Sequence, residues 1–249
     1  MKQLTAFVIA AVLISSCSKT ETDRPQLITA PSGPPPANTK IKTQESGASI
    51  SLLEYDNAGR VKKITTNNVV EHAYNYTGDS LIQTRYLANG SVMETYHIKL
   101  TPGGLVENYL NDKYPTIFIK YEYNGDNTIA KKMNYQIGIL SNVTYYIYSN
   151  GNLVKDSTVN PSQPGSWGGR TYEYYTDKYS TLENGNRGQT HWGAGNKNAI
   201  KKVTYISNGV PYGTQDYQTP EVDQLNRISK TGMTANGSGN PTIYNYTYY

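Results

Sequence analysis

The sequence predicts an all-β protein, an antiparallel up-and-down meander of about eight hairpin repeats. Three observations support this fold class. Tyrosine is very abundant, a short turn-plus-strand phrase recurs about every 24 residues, and clusters of Asn, Asp and Gly separate the recurring segments. No stretch of 12 residues has helical periodicity with caps, so little or no helix is expected.

Tyrosine accounts for nearly all of the aromatic residues. The chain of 249 residues has 24 Tyr but only 2 Phe and 2 Trp, and its mean hydropathy is −0.62. This composition is too polar for a deep apolar core, while the many aromatic residues and the 17% charged residues argue against disorder. A Tyr ring packs across a strand pair and keeps its hydroxyl in water. A broad, thin sheet is therefore expected.

The repeat consists of a turn residue, a polar residue, an aliphatic residue and then Lys or another polar residue. Its aliphatic positions are Val61, Leu81, Leu105, Ile129, Leu153 and Ile228. The interval before Ile228 leaves room for two degenerate copies, which we place at Tyr179 and Ile200. A period sustained over most of the chain sets the architecture.

Each repeat combines a strand pattern with a tight turn. Tyr74 and Tyr76, like Tyr121 and Tyr123, stand at i and i+2 before a turn and so project from one face of a strand. Turns such as 124–127 have the Asn, Asp and Gly residues that tolerate positive φ. Eight hairpins give about 16 strands. We expect an open, curled sheet or half-barrel, with a closed β-barrel as the alternative.

The first 47 residues form two segments outside the repeats. Residues 1–16 read as an export signal peptide, with Lys2 before a short apolar run. The sequence that ends at Cys17, the only cysteine, resembles a bacterial lipobox. We therefore expect lipid attachment at Cys17, a Pro-rich tether over 17–47 and a repeat domain over 48–249. The expected location is the outer membrane, facing the periplasm or the cell surface.

Two stretches of the chain resemble known families. Residues 55–61 look like one unit of the YD (Rhs-type) repeats, which form β-shells. The lipobox, the Pro-rich tether, the Tyr-rich hairpins and the run 191–205 are together similar to a family of uncharacterised Gram-negative lipoproteins that carry a domain of unknown function. That resemblance covers residues 48–249. It implies the fold and an envelope location and brings no established activity.

The sequence has no assembled set of catalytic or metal-binding residues. The histidines His72, His97 and His191 fall in different repeats without a second ligand at metal spacing. There is no nucleophile elbow and no phosphate-binding glycine loop. The net charge of +4 is spread along the chain, which disfavours nucleic acid as a partner. We expect a protein that is not an enzyme and needs no metal or cofactor.

Two insertions near 160–170 and 183–198 interrupt the repeats and are the candidate binding loops. The residues chosen as candidate ligand contacts are Trp167, Arg170, Arg187, His191 and Trp192. Exposed Trp and Tyr rings stack on sugars or anchor a protein partner, although both tryptophans could instead cap the sheet. The predicted function is a lipid-anchored, non-enzymatic envelope protein that binds an extended ligand such as a glycan. The alternative is a structural or protein-interaction scaffold of an envelope complex.

The last seven residues alternate and end on an aromatic residue, as transmembrane outer-membrane barrels often do. That pattern raises the possibility of a channel. However, the positions opposite Tyr carry Lys, Asn, Thr and Glu, which do not make a lipid-facing apolar band. The segment is therefore interpreted as a final hydrogen-bonded strand.

Overall fold

The structure, a computed structural model, describes residues 39–163 and 165–249. The predicted signal peptide, Cys17 and most of the predicted tether lie outside the described residues. In this described part, seventeen strands follow one another. Their bounds are β1 Ile41–Ser46, β2 Ser49–Tyr55, β3 Val61–Thr66, β4 Val69–Thr77, β5 Ser80–Tyr86, β6 Val92–Leu100, β7 Val106–Asn111, β8 Tyr114–Tyr123, β9 Ile129–Gln136, β10 Ile139–Ser149, β11 Asn152–Val159, β12 Trp167–Tyr179, β13 Asn198–Ser207, β14 Val210–Tyr217, β15 Glu221–Val222, β16 Ile228–Ala235 and β17 Ser238–Tyr248. The helical structure in the described part is one 3₁₀ turn, Thr190–Trp192.

The strands form a closed antiparallel barrel. Each strand except β14 pairs with the next along the chain, and β1 pairs with β17, with Gln44 opposite Tyr246. The two-residue strand β15 pairs with β16 beside β14, so sixteen strands make up the ring. The all-β meander is confirmed, and of the two forms left open by the sequence the molecule has the closed barrel. Closure leaves no unpaired sheet edge.

The barrel begins earlier than the sequence indicated. Strand β1 lies within 17–47, the segment interpreted as tether, and its first residue, Ile41, is fully buried. Ile41 is the only aliphatic residue of this strand, so the segment has no alternating apolar pattern. A correction also applies to the first insertion. The loop is 160–166, and Trp167 and Arg170 belong to β12.

The turn residues fit their backbone conformations, with one exception. Asn208 and Asn236 each precede a glycine, and both residues of each pair have positive φ, the usual chemistry of a two-residue hairpin turn. The turn between β9 and β10 has the same conformation but places Ile137 in it, with φ 52° and the side chain 73% exposed. A β-branched residue is disfavoured in this region of φ.

The barrel has two ends, which we name by their turns. The cap end holds the turns that precede β3, β5, β7, β9 and β11. The far end holds the turns that precede β2, β4, β6, β8 and β10. Near the cap end the lumen face carries buried aliphatic side chains, among them Leu53, Val61, Leu81, Ile98 and Val106. The outer face carries ion pairs such as Glu54–Lys63, Glu122–Lys131 and Lys202–Asp216.

Candidate binding site inside the barrel

The segment 180–197, which we call the cap, connects β12 to β13 and bonds to strand starts around the cap end. The Gly188 carbonyl accepts a hydrogen bond from the Val61 amide at 3.0 Å, and the Ala194 amide donates to the Asn127 carbonyl at 2.9 Å. The Lys197 amide donates to the Gly151 carbonyl at 2.9 Å. These contacts reach β3, β9 and β11, which lie on different sides of the ring. The cap therefore crosses the barrel.

Glycine permits the close approach of the cap to the wall. Gly188 has φ +70°, and a Cβ at this position would lie 2.6 Å from the Val61 amide nitrogen. Polar side chains add to the attachment. Arg187 donates to the Gln44 side-chain oxygen at 2.6 Å, and Gln189 donates to the Tyr74 hydroxyl at 3.0 Å.

Trp192 forms an aromatic floor on the lumen side of the cap. Its ring meets Tyr109 and Tyr121 edge to face, with centroid distances of 6.0 and 5.5 Å, and Tyr96 packs on Tyr109 at 5.9 Å. A cavity of about 170 Å³ opens over this floor. Its lining residues are Gln83, Arg85, Tyr96, Ile98, Tyr109 and Trp192. The cavity thus combines aromatic rings with an amide and a guanidinium.

The polar groups beside the floor form an ordered network. Glu94 accepts from the Tyr96 hydroxyl at 2.5 Å and from Arg85 at 2.8 Å. The hydrogen bond from Tyr96 and, after it, the guanidinium of Arg85 lower the pKa of the Glu94 carboxyl. Arg85 and Glu94 are therefore an ion pair at neutral pH. Gln83 also bonds to the ring of His72 at 3.2 Å, which fixes the orientation of its amide.

A second polar group lies on β11 and β12. Asp156 is only 3% exposed and accepts hydrogen bonds from Arg170 at 2.8 Å and from the Tyr172 hydroxyl at 2.6 Å. Arg170 also forms an ion pair with the same carboxylate oxygen at 2.7 Å. Burial first, and then the hydrogen bond to Asp156, raise the pKa of Tyr172. The hydroxyl stays protonated and acts as a donor.

On its other side the cap forms part of a cleft of about 660 Å³. His191 and Tyr76 line it, and their Nε2 and hydroxyl atoms have no hydrogen-bond partner among the described residues. Burial lowers the pKa of His191 to about 4 and raises the pKa of Glu183, another lining residue. The His191 ring is therefore uncharged near neutral pH, and burial disfavours the charged form of Glu183.

The structure separates the residues that the sequence singled out. Arg187, His191 and Trp192 lie together in the cap, and Arg170 lies on the lumen wall. Trp167 pairs with Val159 across the two strands. It lies on the outer face of the wall, whereas Asp156 and Arg170 lie on the lumen face. The Lys155 ammonium lies over the Trp167 ring, with the Nζ atom 5.3 Å from the ring centroid. The five candidates therefore do not form one surface, and Cys17 lies outside the described residues.

The lumen partners of Trp192 were not among the predicted site residues. Gln83, Arg85, Tyr96 and Tyr109 come from β5, β6 and β7, far from the cap in sequence. The signal that places three of them together is cross-strand register, because Gln83 stands opposite Tyr96 and Tyr109 stands opposite Ile98. Within the described residues, no group of three or more His, Cys, Asp or Glu side chains is placed to hold a metal ion.

Comparisons with known proteins support the fold. No family model matches the chain, and no curated protein matches it. A crystal structure of a porin-like protein from Bacteroides uniformis ATCC 8492 has a TM-score of 0.58 and 14% identity, covering 85% of this chain and 98% of that one. A porin-like protein from Bacteroides vulgatus ATCC 8482 has a TM-score of 0.57 and 12% identity, covering 84% and 98%. At these identities the likeness extends to the barrel fold alone. No helix in the described part is long and apolar enough to span a membrane.

Proposed function

We propose that this protein is a non-enzymatic, lipid-anchored protein of the outer membrane whose barrel lumen binds an extended glycan. The observation that carries the proposal is the floor cavity, where the Trp192 ring lies beside the side chains of Gln83 and Arg85. An aromatic ring covers the apolar face of a sugar, while amide and guanidinium donors bond its hydroxyls.

Two features of the barrel favour binding over conduction. The neighbours in structure are described as porin-like, and a pore needs an open passage and an apolar outer band. Here the cap bonds to strand starts around one end of the lumen. The outer face also carries charged pairs between neighbouring strands, including Lys131 with Glu122 at 2.9 Å. A soluble, capped container agrees better with both observations.

The position of β1 agrees with a tether at the cap end. Strand β1 starts at that end, and the residues from Cys17 to Lys40 could span at most roughly 80 Å when fully extended. An anchor at Cys17 would then attach at the cap end and leave the far end directed toward ligand. Labelled palmitate should appear on the protein and disappear in Cys17→Ala. Label that is missing, or that persists in this variant, would refute the anchor.

A protein-interaction scaffold is the second candidate. It is favoured by exposed apolar side chains in or next to two turns of the far end. These are Ile137 at 73%, Ile139 at 70%, Val210 at 65% and Tyr212 at 70% exposure. Apolar side chains clustered at one end of a soluble protein are typical of a docking surface for another protein.

A glycan array and a cross-linking pull-down separate the two candidates. Residues 39–249 are suitable for both experiments because they contain both partners of every strand pair and the whole cap. We expect retention of glycans by this chain and weaker retention by Trp192→Phe, which keeps the packing of the floor but shortens the stacking surface. Trp167→Ala, on the outer face, is the control. Absence of any glycan signal together with one cross-linked envelope protein would favour the scaffold.

A further inference from the structure

The lumen contains a lysine whose charge has no counterpart among the described residues. Lys132 stands opposite Tyr121 in the β8–β9 register and opposite Thr144 in the β9–β10 register. Directly opposed residues share a face of the sheet, and Tyr121 contacts Trp192 of the cap. Lys132 therefore faces the lumen. Its ammonium makes no ion pair with a carboxylate in the part of the chain that the structure describes.

Arg187 is the second lumen cation that forms no ion pair with a carboxylate among the described residues, although its charge acts on the Glu183 carboxyl. Its guanidinium donates to the Gln44 side chain at 2.6 Å and to the Leu182 carbonyl at 3.4 Å, both uncharged groups. Gln44 lines a cavity of about 440 Å³ between the cap and the strands β13 to β17. Arg187 thus places a positive charge beside a second cavity, which cap residues also line.

Two carboxylates of the lumen already have a cation as partner. Glu94 is paired with Arg85, and Asp156 is paired with Arg170. Glu183 is half-buried; burial raises the pKa of its carboxyl, and the charge of Arg187 acts to lower it. Burial, and then the charge of Arg170, lower the pKa of Lys132, as expected for a cation that has a like charge nearby and no anion beside it. The lumen therefore has an excess of positive charge.

We infer that the ligand of the lumen is an acidic oligosaccharide, whose carboxylate or sulfate groups meet Lys132 and Arg187 while its sugar rings stack on the Trp192 floor. This inference rests on the proposed glycan function and specifies its charge. A buried or half-buried cation is stabilised by a counter-ion. An anionic ligand supplies that counter-ion, whereas a neutral sugar does not.

Lys131 provides a matched control for Lys132. The two lysines are consecutive, but Lys131 stands opposite Glu122 and is ion-paired with it on the outer face. The experiment measures binding of residues 39–249 to a uronic-acid oligosaccharide, a sulfated oligosaccharide and a neutral oligosaccharide of equal length by calorimetry. It does so for the native chain, Lys132→Gln and Lys131→Gln, with a thermal melt to verify folding.

We expect the native chain to prefer the acidic oligosaccharides and to lose this preference as salt is raised. Lys132→Gln should weaken acidic binding roughly five- to tenfold and leave neutral binding unchanged. Lys131→Gln should alter neither. The stronger of the two acidic ligands identifies the anionic group. If Lys132→Gln fails to fold, the salt dependence of the native chain and the Arg187→Gln variant test the same charge.

One set of results would overturn the acidic ligand alone, and another would overturn the glycan function as well. Equal affinity of the native chain for acidic and neutral oligosaccharides, or equal effects of the Lys131 and Lys132 substitutions, would show that lumen charge does not select the ligand. The glycan function would then remain. If none of the three oligosaccharides bound, the proposed function itself would fail.

Discussion

Trp192 of the cap and Tyr121 of β8 meet edge to face, with ring centroids 5.5 Å apart and an interplanar angle of 68°. This pair joins an inserted loop to the barrel wall. Aromatic pairs of this geometry contribute roughly 0.5–1.5 kcal/mol beyond the area they bury. Because Trp192 also contacts Tyr109 and His191, the cap is part of the core of the barrel.

Trp192→Ala should therefore lower the free energy of unfolding by roughly 3 kcal/mol. The substitution removes three ring contacts and leaves a space between the cap and the wall. Trp167→Ala should cost about 1 kcal/mol or less, since Trp167 lies on the outer face. Chemical denaturation followed by tyrosine fluorescence measures both. Equal losses for the two variants would contradict the placement of Trp192 in the core.

Gly188→Ala should loosen the cap. A Cβ at this position would lie 2.6 Å from the Val61 amide nitrogen and 2.7 Å from the Tyr55 ring. Gly138→Ala is the control, because Gly138 has a similar φ of +74° but a Cβ added there would meet no neighbouring atom within 4 Å. The excess loss of stability in Gly188→Ala over Gly138→Ala isolates the clash. We expect faster hydrogen exchange of the Val61 amide only in Gly188→Ala, and identical exchange would argue against the contact.

The strand order was largely readable from the sequence because hairpins are local. The aliphatic repeat positions Val61, Ile129 and Ile228 are the first residues of β3, β9 and β16. The sequence did not favour a closed barrel over an open sheet, because the β1–β17 pairing joins the two ends of the domain and β1 has only one aliphatic residue. Likewise, the cap was identified as an insertion, but its lumen partners depend on register, which composition does not reveal.

Ile137→Asn should raise the free energy of unfolding by about 1 kcal/mol. Ile137 has φ 52° and is 73% exposed, so it gains little from burial and is strained in the left-handed region. Asn tolerates that region. Ile139→Asn is the control, since Ile139 is 70% exposed in a strand and its φ is not positive. Equal or lower stability of Ile137→Asn in thermal melts would show that the Ile137 side chain makes a compensating contact.

Asp156→Asn should lower the free energy of unfolding by roughly 2–3 kcal/mol. It removes the carboxylate paired with Arg170 and an acceptor of the Tyr172 hydroxyl, in a site where Asp156 is 3% exposed. Glu122→Gln removes an exposed partner of Lys131 and should change stability by less than about 0.5 kcal/mol. Urea titrations of both variants test this difference. A similar small loss in each would mean that the Asp156–Arg170 pair is well solvated.

His191 should make the stability of the barrel depend on pH. Burial lowers its pKa in the folded chain from 6.5 to about 4, so the unfolded chain binds more protons between these values. The stabilising contribution is fully present above pH 6.5 and is lost progressively as pH falls through the folded pKa near 4, to a total of roughly 3 kcal/mol. Glu183 acts in the opposite direction, because its raised pKa favours the folded chain at low pH. The His191 contribution is therefore obtained as the difference between the native chain and His191→Asn. We expect urea midpoints of the native chain to fall relative to those of the variant between pH 6.5 and 4, and parallel curves would show that the folded barrel leaves the pKa of His191 close to its unfolded value.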